Sequence, residues 1–323
     1  MDMRARQARR EERRRAIRRR RRVAAGAIVL VAGAVAAVVA LASGSSGSSS
    51  STPAASTRAS AHASSGTTHA ATTASAATGA SVGPPGKDPV PILMYHVIAP
   101  APAGAPYPGL YVEPAEFAEQ MQALKDAGWH AVTLDQVLAY WSTGASLGPG
   151  KPIVISFDNG YNSQYTQALP VLRRMGWVGD ENIQLTGLPP SQGGLGPAQI
   201  RGLLAAGWEL DTQGISHADL ITLDAEELHY QVAVARQTLQ QRYHVPVNWF
   251  CYPSGDYDAT VVAAVKAAGF VGSTTVVPGW AHPGDDRYRL HRLRVLGGTS
   301  GQQLLELLAG THGSPPAPSS YTA

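Results

Sequence analysis

From about residue 88 onward, apolar positions recur in two rhythms, and the switches between them mark out the elements. Residues 90–95 form a short apolar run of the kind a buried strand requires. Pro114 suits a first helical position, and Phe117, Met121, Leu124 and Ala127 follow at helical spacing. The same reading predicts a strand over 130–134 and a helix over 135–141. A central strand built on Ile153, Val154 and Ile155 comes next, then a helix over 164–174. Strands over 182–186, 208–212, 247–252, 271–275 and 289–296 alternate with helices over 197–206, 224–243 and 259–268. Asp224 with Glu227, and Ser300 with Gln303, have the spacing of capping boxes, the second opening a closing helix. About seven such units in one domain predict an α/β fold, a distorted parallel (β/α) barrel rather than an open sheet.

Composition divides the chain ahead of this domain. The formal net charge of +3 hides a split. Residues 1–22 carry twelve arginines against Asp2, Glu11 and Glu12, so this tail is +9 and the remainder −6. The basic pI of about 9.0 therefore belongs to the tail and gives no reason to expect a nucleic-acid surface on the domain. Residues 23–42 are uncharged Ala, Val, Leu, Ile and Gly. At ~1.5 Å per residue they would cross the ~30 Å core of a bilayer. Arginines on one side only place the tail in the cytoplasm and the domain outside. A cleaved signal peptide is the rival, and the long charged region and long apolar run favour an uncleaved signal-anchor. Residues 43–87 begin as Ser, Thr, Ala and Gly with almost no apolar side chains, the composition of a disordered linker. Such a coil reaches roughly 35 Å. The domain is expected over 88–312, followed by a flexible tail over 313–323. Cys251 is the lone cysteine, so no internal disulfide supports this exported domain. Among Trp249, Phe250 and Tyr252 it reads as a small buried hydrophobe.

Candidate chemistry gathers where strands end. The stretch 151–161, KPIVISFDNGY, runs a buried strand directly into Asp158, Asn159 and Gly160. Both an active-site edge and a simple Asn-Gly turn fit this segment alone. Three more strands end in Tyr95-His96, in Asp211-Thr212-Gln213 ahead of His217, and in Tyr252-Pro253-Ser254-Gly255. In a parallel barrel all four lie on one rim.

The order of these segments resembles the polysaccharide deacetylases of the NodB-homology type, the family-four carbohydrate esterases. PILMYH at 91–96, SFDNGY at 156–161, GWELDTQGISHADL at 207–220, CYPSGDYD at 251–258 and RLRV at 292–295 carry the likeness, in order, across 88–300. The resemblance implies a NodB-like barrel and a hydrolase acting on carbon–nitrogen bonds, releasing acetyl groups from polysaccharide of the peptidoglycan or poly-N-acetylglucosamine type. It implies a general base at Asp158 and a divalent metal, usually zinc, at the positions of Asn159, Gln213 and His217. It also suggests sugar contacts at Tyr161, Tyr252, Pro253, Gly255 and Trp280. Two of the three metal positions depart from the family's Asp and His. Neutral amides are weak donors, so zinc is weakened here and a metal-free glycan-binding barrel is the alternative. Asp211, on the same strand face as Gln213, is the candidate substitute acid. His291 is the nearest counterpart of the family's late histidine, although its flanks do not match.

Overall fold

The computed structural model describes residues 83–186, 188 and 193–312. The expected alternation appears as β1 (Ile92–Tyr95), α1 (Pro114–Asp126), β2 (Trp129–Ala131), α2 (Leu134–Thr143) and β3 (Lys151–Asn159). It continues through α3 (Leu169–Met175), β4 (Asp180–Ile183), α4 (Pro197–Ala205), β5 (Glu209–Thr212), α5 (Ala225–His229) and α6 (Ala235–Tyr243). The last elements are β6 (Trp249–Cys251), α7 (Ala259–Ala267), β7 (Gly272–Thr274), β8 (Leu293–Arg294) and α8 (Gly301–Thr311). Turns of π-helix at Gln164–Ala168 and Tyr230–Val234 lead into α3 and α6.

The strands pair in the order β7-β6-β5-β4-β3-β1-β8, with β2 alongside the start of β3, and every pairing between them is parallel. Backbone bonds of residues 287–290 to Ser273 and Thr275 carry the sheet from β7 toward β8, so it curls into the expected distorted barrel. Alternation along β3 sorts its side chains. Ile153, Ile155 and Phe157 pack outward in one cluster with Phe117, Met121 and Leu124 of α1 and Leu304 and Leu308 of α8. Val154 joins Ile92, Leu134, Val137 and Trp249 in a second cluster, where α2 seats its apolar face. Beyond Val154 on that inward face stand Ser156 and Asp158, on the way to the carboxyl end of the barrel.

Local signals hold where they are backbone chemistry. Ser300 and Gln303 form their capping box, and Asp224 accepts the Glu227 N–H at 2.9 Å. Three strands depart most from expectation. The strand expected over 130–134 ends at Ala131 because Thr133 caps α2. β4 starts at Asp180, two residues early, in register with Ser156 and Glu209. The strand expected over 289–296 shortens to Leu293–Arg294, because the Arg292 N–H bonds Val277 O instead of a strand neighbour. The expected basic tail over 1–22, the span over 23–42, the expected linker over 43–87 as far as residue 82, and the tail over 313–323 lie outside the described residues; at the linker's end Gly86 N–H already bonds Tyr140 O. Among the described residues no helix is long and apolar enough to cross a membrane.

Candidate active site

Asp158 sits one residue before the end of β3, on the face turned into the barrel, and is 1 % exposed. The fully buried Arg292 guanidinium meets it as a two-pronged fork, Nη1 to Oδ1 at 2.7 Å and Nη2 to Oδ2 at 2.9 Å. Arg292 also donates to Ser156 Oγ (3.1 Å) and Thr275 O (2.8 Å). Asn182 Nδ2 adds a third donor to Asp158 Oδ1 at 3.0 Å, and the Cys251 thiol approaches Oδ2 at 3.6 Å. Burial by itself would push the Asp158 carboxyl up. The charge and hydrogen bonds of Arg292, helped by His96 and Asn182, override it and hold the group at about 2. Asp158 is therefore ionised at any physiological pH, and donors occupy both its oxygens.

His96 leaves the end of β1 with Nε2 3.9 Å from Asp158 Oδ2. Burial lowers its pKa to about 4, more than the neighbouring carboxylate raises it. His217 follows β5 in a left-handed backbone conformation, φ 52°, and burial lowers it too. Both imidazoles are thus neutral near pH 7, beside a fixed negative charge.

The three positions to which the resemblance assigns a metal can be tested against this geometry. Asn159, with φ 78°, donates its Nδ2 to Gln184 Oε1 at 2.8 Å. Gln213 donates Nε2 to Cys251 Sγ at 3.1 Å, leaving a buried Oε1 without a partner. With His217, these positions offer two neutral amide oxygens and one imidazole. The nearby carboxylate, Asp158, is already committed to Arg292 and Asn182. Burial pushes the Cys251 thiol up to about 12, so it brings no thiolate. Zinc sites draw on anionic or imidazole donors that leave their lone pairs free. These residues do not fit the divalent metal that the resemblance implies. Asp211 does not replace the missing acid, because Trp249 N binds its Oδ1 at 2.8 Å deeper in the barrel.

A family model described as polysaccharide deacetylase matches residues 146–273. YxkH of Bacillus subtilis strain 168, assigned to the polysaccharide deacetylases, is 28 % identical over 213 residues, covering 66 % of this chain and 73 % of that one. Residues 146–273 thus carry a polysaccharide deacetylase domain, and the chain around them is similar to YxkH. Solved structures of the same fold include the deacetylase PplD of Streptococcus pyogenes in complex with acetate, with a TM-score of 0.63 and 24 % identity. That match covers 68 % of this chain and 98 % of PplD. A polysaccharide deacetylase from Bacillus cereus superposes with a TM-score of 0.60 at 23 % identity, covering 69 % of each chain.

Within this deacetylase barrel, the sugar contacts suggested by the resemblance fall in different places. Tyr161 is half-buried beside the Gly160 turn, within electrostatic reach of Asp158 and Tyr111. Tyr252 is core instead, 1 % exposed, with its hydroxyl donating to Tyr288 O and its ring stacked on Tyr257. Pro253 and Gly255 are buried, and Gly255 takes φ 73° against Val276. Trp280 packs on Trp129, next to Ala281, which pairs with Val90 at the amino end of β1. It thus lies at the opposite end of the barrel from Asp158 and belongs to the core. His291 pairs with Asp285, not with Asp158. Sequence reasoning missed the role of Arg292. Its signal is a charge alternating with leucine in RLHRLRV, a pattern that on a barrel strand aims the charge inward.

Below the site, Asp180, Glu209 and Asp211 bring one oxygen each within 4.8 Å of the others. The amino terminus of α2 faces them, Leu134 N–H donating to Asp180 and Asp135 N–H to Glu209, both at 2.9 Å. Burial, and repulsion among these carboxylates and the neighbouring Asp135, still push all three carboxyls up, Glu209 to about 7. The folded chain therefore holds these protons more tightly than the unfolded chain. Their contribution is complete below the ordinary carboxylate range; the Glu209 part is lost as pH rises through about 7, and the parts of Asp180 and Asp211 as pH rises through their own raised values. Thermal unfolding is expected to show a melting temperature falling by several degrees from pH 5 to pH 8. Asp211→Asn, which keeps the acceptor for Trp249 N–H, is expected to flatten that slope. An unchanged slope would mean that the cluster is not what titrates.

Proposed function

We propose that this protein is a membrane-anchored, extracytoplasmic polysaccharide deacetylase-like hydrolase, acting on N-acetyl groups of cell-wall or surface polysaccharide of the peptidoglycan or poly-N-acetylglucosamine type. Residues 23–42 are the anchor, 43–87 the spacer, and the barrel faces the wall. The observation that carries this reading is His96 facing Asp158 across 3.9 Å, with His217 in electrostatic reach of both, at the carboxyl ends of β1, β3 and β5. There, a neutral imidazole such as His96 can take a proton from water attacking an acetamide carbonyl and return it to the departing amine, while the ionised Asp158 beside it stabilises the imidazolium formed in between. Tyr161 stands at the rim as a sugar contact.

One observation favours a second reading, a glycan-binding module. Asp158 has both oxygens occupied, and Asn159 and Gln213 do not make a zinc site. Acetate release from acetylated glucosamine oligomers, measured with and without chelator, separates the two. Turnover is expected in the wild type, insensitive to chelator, and is expected to fall at least a hundredfold in Asp158→Asn. Oligomer binding with no acetate released by either form would leave only the binding module.

A further inference from the structure

Each π-helical turn delivers a buried glutamine to the backbone that carries the candidate site. Such a turn holds one residue more than an α-turn and shifts which side chain faces inward, and such turns are frequent at functional sites. Gln164 opens the first one and is wholly buried. Its Nε2 donates to the carbonyl oxygens of His96 and Asp158, each at 2.8 Å. One amide group thus joins the ends of β1 and β3 at the two residues whose side chains face each other across 3.9 Å. Ser163 beside it accepts the Ile98 N–H at 3.1 Å, tying down the chain just past His96.

Gln231, in the second turn, is 9 % exposed. Its Oε1 accepts the N–H groups of Ile215 (3.1 Å) and Ser216 (3.0 Å), and its Nε2 donates to Ser216 Oγ at 2.9 Å. His217 follows at once, in its left-handed conformation. Gly214, φ 88°, lies so close to the turn that a Cβ there would stand 2.9 Å from Gln231 O. The loop is laid directly on the π-turn.

We propose that Gln164 and Gln231 are positioning residues of the candidate site, Gln164 setting the spacing of His96 and Asp158 and Gln231 setting the orientation of His217. This rests on the reading that the site acts on acetylated glycan. Each glutamine satisfies backbone groups of two residues at once, and an apolar replacement of similar shape would remove those bonds, among them the buried ones to Asp158 O and Ile215 N–H, and let the segments drift.

The full-length protein is compared as wild type, Gln164→Met, Gln231→Met and Gln231→Glu. Glutamate keeps both acceptor bonds to Ile215 and Ser216, whereas methionine keeps only volume. Amide exchange over 214–217 is expected to quicken about tenfold in Gln231→Met and to return toward wild type in Gln231→Glu. Acetate release is expected to lose about tenfold in kcat in both methionine variants, with KM within about twofold, and Gln231→Glu to recover most of the loss. Faster exchange with kcat unchanged would overturn the proposal, as would equal losses in Gln231→Met and Gln231→Glu. A wild type that releases no acetate would refute the hydrolase reading separately. The proposal is then decided by chitooligosaccharide affinity, expected to weaken about fivefold in Gln231→Met and recover in Gln231→Glu. Equal affinity in all forms, or none in the wild type, would overturn it.

Discussion

Replacing Arg292 with methionine is expected to destabilise the domain by about 3–5 kcal/mol, the usual cost of leaving one partner of a buried ion pair alone. Arg292 is fully buried and holds both oxygens of Asp158. Without it, the carboxylate keeps only Asn182 and the Cys251 thiol as donors, at a position 1 % exposed. Asp158 must then give up its charge, so its pKa moves from about 2 to above the ordinary value. The pH dependence reverses with it. In the wild type the folded value is depressed, so the contribution, about 2 kcal/mol, is present above pH ~4 and is lost as pH falls toward 2. In Arg292→Met the folded value is raised, so stability instead falls as pH rises through it. Urea unfolding between pH 3 and pH 8 reads both effects. Asp158→Asn in the Arg292→Met background is expected to recover part of the loss, because a neutral amide tolerates burial better than an unpaired carboxylate. A loss below about 1 kcal/mol at pH 7 would mean that the pair contributes little beyond its shape.

Asn159→Asp combined with Gln213→His is expected to create a zinc site where the natural chain has none. The two changes supply an anion and a second imidazole beside the retained His217 at the three positions to which the resemblance assigns metal ligands. Structural zinc sites with four ligands bind with roughly 10–16 kcal/mol, so two added ligands should raise affinity on the order of a thousandfold or more. Asn159 already holds φ 78°, a conformation aspartate also tolerates, so the first change asks little of the backbone. The second gives up the Gln213 bond to Cys251 Sγ. Zinc titration by calorimetry and acetate release with chelator check the outcome. Bound zinc with chelator-sensitive turnover in the double variant, beside chelator-insensitive turnover in the wild type, is expected. Zinc bound equally by both forms would refute the statement that the natural residues do not fit it.

Much of the barrel was legible because its signals are local. Ile153, Val154 and Ile155 announce a buried strand, Ser300 and Gln303 a helix start, and Pro114 a first helical turn. The strand-end motifs lie in order along the chain, so the family resemblance could be read before any contact was known. Boundaries failed where a residue had a tertiary commitment, as when Arg292 took the strand expected over 289–296 out of the ladder. The aromatic contacts failed for a related reason. Trp280 and Tyr252 look alike in sequence to rim aromatics, and only packing shows that their faces are covered.

The sequence by itself determined the alternating barrel, the basic, apolar and Ser/Thr/Ala-rich stretches that precede it, and the departure of Asn159 and Gln213 from the family's carboxylate and imidazole. The first two follow from residue type and periodicity, which need no partner, and the third from the resemblance of the strand-end motifs. Only the tertiary structure decided what became of the residues that remain. Asp158 is locked by an arginine 134 positions away, and His96 and Asp158 are spaced by Gln164. Asp211 sits in a proton-sharing floor instead of at the metal position. Charge and hydrogen bonding depend on distances across the barrel, and those distances exist only once the strands have closed around them.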